Sequence, residues 1–261
     1  MKFWRRKKVA SVDILTGYAK WAKNYPAQAH NPLMEIEQQA MLSLLPDNLN
    51  GKACLDLACG SGRYLLLMQQ RQAAQLVGAD YSPEMLVKAS EQLAMSNVQL
   101  TINNKQTVIA DSHDFLSQNS KLKTQNSKLI RAPFFPLPFA AETFDVITCG
   151  LAVGHEKKLT RIMAEIARVL RPGGHFIYSD FHPFGRLIGW QRTFTADNGT
   201  VFSLEHHLHL YSHHQHACHA AGLTIDAILE PLAGPKAPPE AQHIPAVLVI
   251  RAVKANNNVT G

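Results

Sequence analysis

The chain has 261 residues, 46% of them hydrophobic, and a formal net charge of +6. That length accommodates one large α/β domain or two small ones, with enough apolar side chains for a sizeable core. No apolar run approaches the roughly eighteen residues of a membrane span, and the start "MKFWRRKKVASVDIL" lacks the apolar centre of a signal peptide, so a cytoplasmic protein is expected.

Lys2, Arg5, Arg6, Lys7 and Lys8 carry five of the six net charges, which leaves the rest of the chain near neutrality. A nucleic-acid enzyme would carry its basic face on the folded body, so no nucleic-acid partner is expected. The basic tail suits at most a weak contact with an anionic surface. Cys54, Cys59, Cys149 and Cys218 show no paired framework and are expected as thiols.

Residues 1–50 are expected to form the basic tail and a helical cap, and residues 51–261 the main domain. In the cap, "NPLMEIEQQAMLSLLP" predicts a helix capped by Asn31, with Pro32 in its first turn and Pro46 at its end. "KACLDLA" predicts a short strand running into the turn "CGSG", and "RYLLLMQQRQ" a helix. "AQLVGAD" predicts the next strand, and Ser82 and Pro83 open the helix "PEMLVKASEQLAM". Residues 103–131 read as an irregular variable insertion, in which "QNSKL" occurs at 118–122 and again at 125–129.

Order resumes with the strand in "LPFAAETFDVITCG". "EKKLTRIMAEIARVL" predicts a helix with Leu159, Ile162, Met163, Ile166 and Leu170 on one side, stopped by the glycines of "RPGG". "HFIYSD" is the next strand. Residues 181–221 are expected to form a lid, made of a hairpin around "DNG" and a helix "SHHQHACHAAG" capped by Ser212. "LTIDAIL" and "AVLVIRAV" predict a closing antiparallel pair at the sheet edge. The alternation of strands and helices predicts an α/β fold with a doubly wound parallel sheet.

The most informative segments are "CLDLACGSGRY" and "VGADYSPEML". A strand that ends in a glycine turn lets a ligand approach the backbone closely. Asp80 ends the next strand, 18 residues after Gly62, where a carboxylate can accept hydrogen bonds from ribose hydroxyls. From Gly60 the dinucleotide pattern requires a glycine where Leu65 stands, which argues against NAD.

With "DYSPEML", "LPF…FDVI" and "RVLRPGG" in order behind this turn, the chain resembles class I S-adenosylmethionine-dependent methyltransferases of the methyltransferase-11 type. The resemblance covers roughly residues 15–180, and "YAKWAKNYP…HNPLMEIEQ" is similar to the N-terminal cap of part of that family. It implies a Rossmann-like, seven-stranded doubly wound sheet with an N-terminal helical cap and a β-hairpin insert after the fifth strand. It also implies S-adenosylmethionine as cofactor. Asp56 would orient the methionine end, and Ala58, Gly60 and Gly62 would form the turn. Ala58 stands where the family usually has glycine. Asp80 would hold the ribose, Tyr81 and Met85 would flank the adenine, and Cys149 and Gly150 would lie beside the methionine portion. The adenine contact has two candidates, Asp111 or the backbone N–H of Phe134 after Pro133.

His155 follows the fourth strand; Asp180 and His182 follow the fifth. All three are candidate catalytic residues, since ligands in open α/β sheets sit beyond the carboxyl ends of the strands. A histidine titrates near neutrality and suits a base for a hydroxyl acceptor. The family's amine methylases often carry an Asn/Asp-Pro-Pro-aromatic run where this chain has "CGLAVGHE". Transfer to oxygen or carbon of a small organic acceptor is therefore expected over nitrogen. A non-catalytic cofactor-binding scaffold and an RNA or protein methyltransferase are the alternatives.

Seven of the thirteen histidines fall between His206 and His219. Three readings stay open: a zinc site, a solvated His-rich edge, and a substrate lid in which His207 and His209, on one face of a strand, line the pocket. The family requires no metal, and none is assigned. Trp21 and Tyr25 of the cap are the other candidate substrate contacts.

Overall fold

The computed structural model describes residues 9–26, 28–100, 108–110, 126–196 and 198–256. Strand β1 (Ala10–Val12) leads into helix α1 (Ile14–Ala22), where Asp13 Oδ1 accepts the Thr16 N–H at 3.0 Å as the cap. Helix α2 (Pro32–Leu44) starts as its sequence directs: Asn31 Oδ1 accepts the Met34 N–H at 3.0 Å. Strand β2 (Ala53–Leu57), helix α3 (Arg63–Gln70), strand β3 (Gln75–Asp80) and helix α4 (Pro83–Leu100) then alternate. Strands β4 (Val108–Ala110), β5 (Asn126–Arg131) and β6 (Phe144–Cys149) follow. A short helical turn, Val153–His155, precedes helix α5 (Leu159–Val169), strand β7 (Leu170–Phe181) and helix α6 (Pro183–Leu187). The chain closes with strands β8 (Thr193–Thr195) and β9 (Val201–Leu204), helix α7 (Tyr211–Ala220), and strands β10 (Leu223–Leu229) and β11 (Val247–Lys254).

The main sheet has the order β10-β11-β7-β6-β2-β3-β5-β4. β11 is antiparallel to both its neighbours and the other pairings are parallel. β2 lies at the centre, buried along its whole length. One face packs against Ile162, Met163 and Ile166 of α5 and Ala217 and Cys218 of α7. The other packs against Met41 and Leu44 of α2, Leu65 and Met68 of α3 and Leu86 of α4. This is the doubly wound α/β fold the sequence predicts. β4 adds a short eighth strand to the seven expected.

Four expectations change. The stretch 103–131 is not irregular throughout: β4 and β5 lie in it, and the second "QNSKL" supplies β5, where Leu129 is fully buried. The polar Asn126, Ser127 and Lys128 alternate poorly, so periodicity does not reveal the strand. The first copy, Asp111 and the basic residues 1–8 lie outside the described residues. "RPGG" does not follow α5 as a loop; it is an excursion inside β7, with Gly173 at φ 72°. The terminal pair is antiparallel, but β11 inserts between β7 and β10, so only β10 is at the edge.

The fourth change concerns the lid. The hairpin exists, but β9 ends at Leu204, and β1 adds to it in parallel to make a second, three-stranded sheet. Asp197 of the expected turn lies outside the described residues. The histidine helix starts at Tyr211, with Leu210 and not Ser212 before it. α1 lies on β9 because Gly17 has no side chain: a Cβ there would overlap Leu204 Cδ2. The cap and the hairpin therefore form one layer.

Candidate active site

The carboxyl ends of β2, β3 and β6 open into a cavity of about 420 Å³, whose wall includes Tyr18, Tyr25, Ala58, Gly60, Asp80, Tyr81, Phe134, Gly150, His155 and Arg192. A recess of about 30 Å³, walled by Asp56, Arg63 and Tyr64, shares Tyr25, Ala58, Gly60 and Gly150 with it. Of the sequence candidates, Asp56, Ala58, Gly60, Asp80, Tyr81, Phe134, Gly150, His155 and Tyr25 thus meet around one space.

The turn after β2 is held by Asp80. One carboxylate oxygen accepts the Gly60 N–H at 2.8 Å and the other accepts the Ser82 N–H at 2.8 Å. Burial pushes the Asp80 carboxyl up to about 6, against the pull of the N–H groups of Ser82 and Gly60. Asp56 Oδ1 accepts the Thr148 hydroxyl at 2.8 Å, while Oδ2 is buried without a hydrogen-bond partner. Burial drives Asp56 up to about 7; the Thr148 bond and the charge of Arg63 oppose it. The backbone of Gly60 is left-handed, φ 54°, and a Cβ there would stand in open space. Ala58 takes the same left-handed conformation, φ 55°, with a Cβ.

Several candidates lie elsewhere. Met85 and Cys149 are buried in the interior and are absent from the cavity wall. Gly62 caps α3 at φ 86°, behind the turn. Trp21 stacks on Phe194 of the hairpin, ring centroids 5.3 Å apart, and meets Tyr25 edge-on at 4.7 Å. It supports the cap instead of lining the cavity. Asp180 accepts from His206 Nε2 at 2.7 Å in a buried pair. His182 caps α6: its Nδ1 accepts the Phe184 N–H at 3.2 Å, and its Nε2 meets Glu230 at 3.1 Å. Neither Asp180, still within β7, nor His182, just beyond it, lines the cavity.

The histidine cluster disperses. His207 and His209 share no strand face, since they lie beyond β9. The backbone N–H of His207 donates to Gly154 O at 2.7 Å, and His209 Nε2 donates to Glu156 O at 2.8 Å. His207 faces a second cavity of about 430 Å³ that shares Arg192 and Glu205 with the first. His214 is fully buried beside Tyr178, whose hydroxyl is 3.2 Å from Nδ1 and 3.8 Å from Cys218 Sγ. Burial lowers His214 to about 4. Among the described residues no three His, Cys, Asp or Glu side chains converge as metal ligands do.

Three polar side chains beside these candidates have no counterpart among them. Tyr18 lies 3.1 Å from His155 Nε2, and Arg192 Nη2 donates to its hydroxyl at 2.6 Å. Arg192 Nη1 also donates to Leu151 O. His155 Nδ1 must carry a proton, because its partner at 2.9 Å is the Glu205 carbonyl. Neutral His155 therefore presents Nε2 as acceptor to the Tyr18 hydroxyl. Burial first, and then the charge of Arg192, hold His155 well below the ordinary imidazole value. The third is Glu37, fully buried on α2. It accepts from Tyr64 at 2.8 Å, Ser179 at 2.7 Å and Arg63 at 2.8 Å, and Ser179 Oγ in turn accepts the Leu151 N–H at 2.8 Å. The spacing 18, 21, 25 on the cap and a Glu inside the apolar stripe of α2 were the available signals. Arg192 left none.

A sheet open at its strand ends, with a glycine turn and an acid around a cavity, defines a Rossmann-like domain for an adenosine-bearing cofactor. Residues 55–178, just under half of the chain, match the family model described as "Methyltransferase domain", and the match supports a class I S-adenosylmethionine-dependent methyltransferase of the methyltransferase-11 type. A Haemophilus influenzae protein is 32% identical over 149 residues, 57% of this chain and 49% of that one. The demethylmenaquinone methyltransferase of Symbiobacterium thermophilum is 28% identical over 183 residues, 67% of this chain and 56% of that one. The chain thus spans about half the length of the curated relatives it matches. A Listeria monocytogenes structure titled a putative S-adenosylmethionine-dependent methyltransferase superposes with a TM-score of 0.59 at 19% identity, over 85% of this chain and 99% of that one; it supports the fold.

S-adenosylmethionine is the cofactor of this family, and the residues present fit it. The unpartnered buried oxygen of Asp56 is an acceptor suited to an ammonium. The open space over Gly60 admits a close ligand, and the Asp80 carboxylate borders the cavity.

Proposed function

We propose that the chain transfers a methyl group from S-adenosylmethionine to oxygen or carbon of a small organic acceptor. The observation that carries this reading is the single cavity that joins the glycine turn to Tyr18, His155 and Arg192. The cofactor, when bound, supplies a methyl group activated on sulfonium.

Asp56, with Gly60 and Gly150, holds the methionine end, and Asp80 the ribose. Tyr81 and the Pro133–Phe134 backbone border the adenine. Tyr25 closes the turn from the cap. On the acceptor side, Tyr18 receives an acceptor proton as it passes its own to His155 Nε2. The Glu205 carbonyl fixes the tautomer this requires. Arg192 has no carboxylate within ion-pair distance among the described residues, so its charge is available to an oxygen that becomes anionic. These residues orient the acceptor and keep water from it.

The test is incubation of the purified chain with isotopically labelled S-adenosylmethionine and a metabolite extract. Label is expected in a small oxygen- or carbon-methylated product. Calorimetry should show cofactor binding weakened about 10- to 100-fold in Asp80→Asn, the range for a lost hydrogen bond to a charged group. Label only in protein or RNA, or unchanged affinity in Asp80→Asn, would overturn the reading.

A further inference from the structure

Pockets of about 300–1,000 Å³ hold one drug-sized ligand, and the cofactor is such a ligand. The first cavity, about 420 Å³, therefore keeps little room for an acceptor once the cofactor is in place. The second cavity, about 430 Å³, lies behind the same wall and shares Arg192 and Glu205 with it. Phe181 and Trp190 form its apolar side. Trp190 lies on α6 because Gly185 has no side chain: a Cβ there would stand 2.4 Å from Trp190 Cε3.

The polar side is cationic. The Arg192 guanidinium sits 5.3 Å from the ring centroid of Phe181 and 5.8 Å from that of Tyr18. The Leu151 carbonyl and the Tyr18 hydroxyl each accept from it, and its other N–H groups have no partner among the described residues. Arg186 borders the same cavity and makes no ion pair among the described residues. The wall contains one acid, Glu205, whose carboxylate faces His207 Nε2 at 3.8 Å. Asp180 and Glu230, nearby but outside the wall, are held by His206 at 2.7 Å and His182 at 3.1 Å. Val9 lines the cavity too, but residues 1–8 contain no Asp or Glu, so that stretch supplies no carboxylate to the two arginines.

We propose that the second cavity binds a carboxylate carried on a flat apolar body, with the oxyanion on the free N–H groups of Arg192 and the body against Phe181 and Trp190. A guanidinium already held by two acceptors and two rings loses little freedom on meeting a carboxylate, and its fork can serve both oxygens. Naming that acid as the methyl acceptor, reaching past Arg192 into the first cavity, rests on the transfer reading; the binding itself does not.

The test is calorimetry of the full chain with benzoate as the probe, and with benzamide and benzamidine as its neutral and cationic counterparts. Saturable binding is expected for benzoate alone, both without cofactor and with S-adenosylmethionine bound. Arg192→Met should weaken it about 10- to 100-fold, the range for lost hydrogen bonds to a charged group. Should that variant unfold, Arg186→Glu, at an exposed position, should weaken it as well, and Glu205→Gln should tighten it. Absence of benzoate binding, equal binding of benzamide, benzamidine or inorganic phosphate, or unchanged affinity in both arginine variants would overturn the proposal. Displacement of S-adenosylmethionine by benzoate would also overturn it, by placing the probe in the first cavity. Benzoate binding by a chain that transfers no methyl group would support the site and remove only its link to the acceptor.

Discussion

Tyr18 of the cap and His155 after β6 are joined by a 3.1 Å hydrogen bond that spans 137 residues of sequence. The bond closes the end of the cavity proposed for the acceptor, and it joins the cap to the sheet. Tyr18→Phe should lower kcat by about 100- to 1,000-fold, the lower part of the general acid–base range, while calorimetry shows little change in cofactor affinity. A variant with unaltered kcat and pH profile would remove Tyr18 from the proton path.

Asp56 should couple cofactor binding to pH. Its folded value is raised to about 7 from an ordinary 3.8, so the free protein keeps this carboxyl protonated below neutrality. The stability it contributes is present at acid pH and is lost as pH rises through about 7. If an ammonium selects the ionised form, binding near pH 6 should release a proton and weaken as pH falls. Calorimetry in buffers of different ionisation enthalpy reads this directly, and Asp56→Asn should abolish it.

Ala58 carries a Cβ at φ 55°. That conformation costs an L-residue about 1–2 kcal/mol. Glycine would relieve the strain and give back about 0.5–1 kcal/mol in unfolded-state entropy. Ala58→Gly should therefore stabilise the chain by about 0.5–1 kcal/mol in urea unfolding. Destabilisation would show that the methyl packs favourably in the turn.

His182→Ala should affect the fold and spare the chemistry. Loss of the α6 cap should cost about 0.5–2 kcal/mol, read as a lower urea midpoint. Turnover per folded molecule should stay at the wild-type value. A large fall in kcat would place His182 nearer the acceptor than its contacts with Phe184 and Glu230 do.

The cofactor half of the cavity was legible in the sequence because its parts are local. Asp56, Ala58 and Gly60 follow one strand, and Asp80 ends the next. The acceptor half was legible only in part. His155 was found from its place after β6, but Asp180 and His182 share that kind of place and point elsewhere. A position at a strand end fixes place in the sheet and does not fix which side chain faces the cavity: Asp180, still inside β7, pairs instead with His206. Tyr18 and Arg192 meet His155 only through tertiary packing of cap and hairpin. The histidine run misled for a related reason: spacing along a predicted strand presumed a strand that stops at Leu204.

The placement of β11 bears on how the chain is made. β11, Val247–Lys254, supplies the neighbour of both β7 and β10. During synthesis, β10 emerges with no strand to pair with, and the β7 edge stays open until β11 has left the ribosome. The turn and acid of the cofactor half are complete far earlier, on β2 and β3. Vectorial synthesis therefore leaves the β7 edge unpaired after the turn and acid on β2 and β3 have been made, and an unpaired edge invites wrong pairing until β11 fills it.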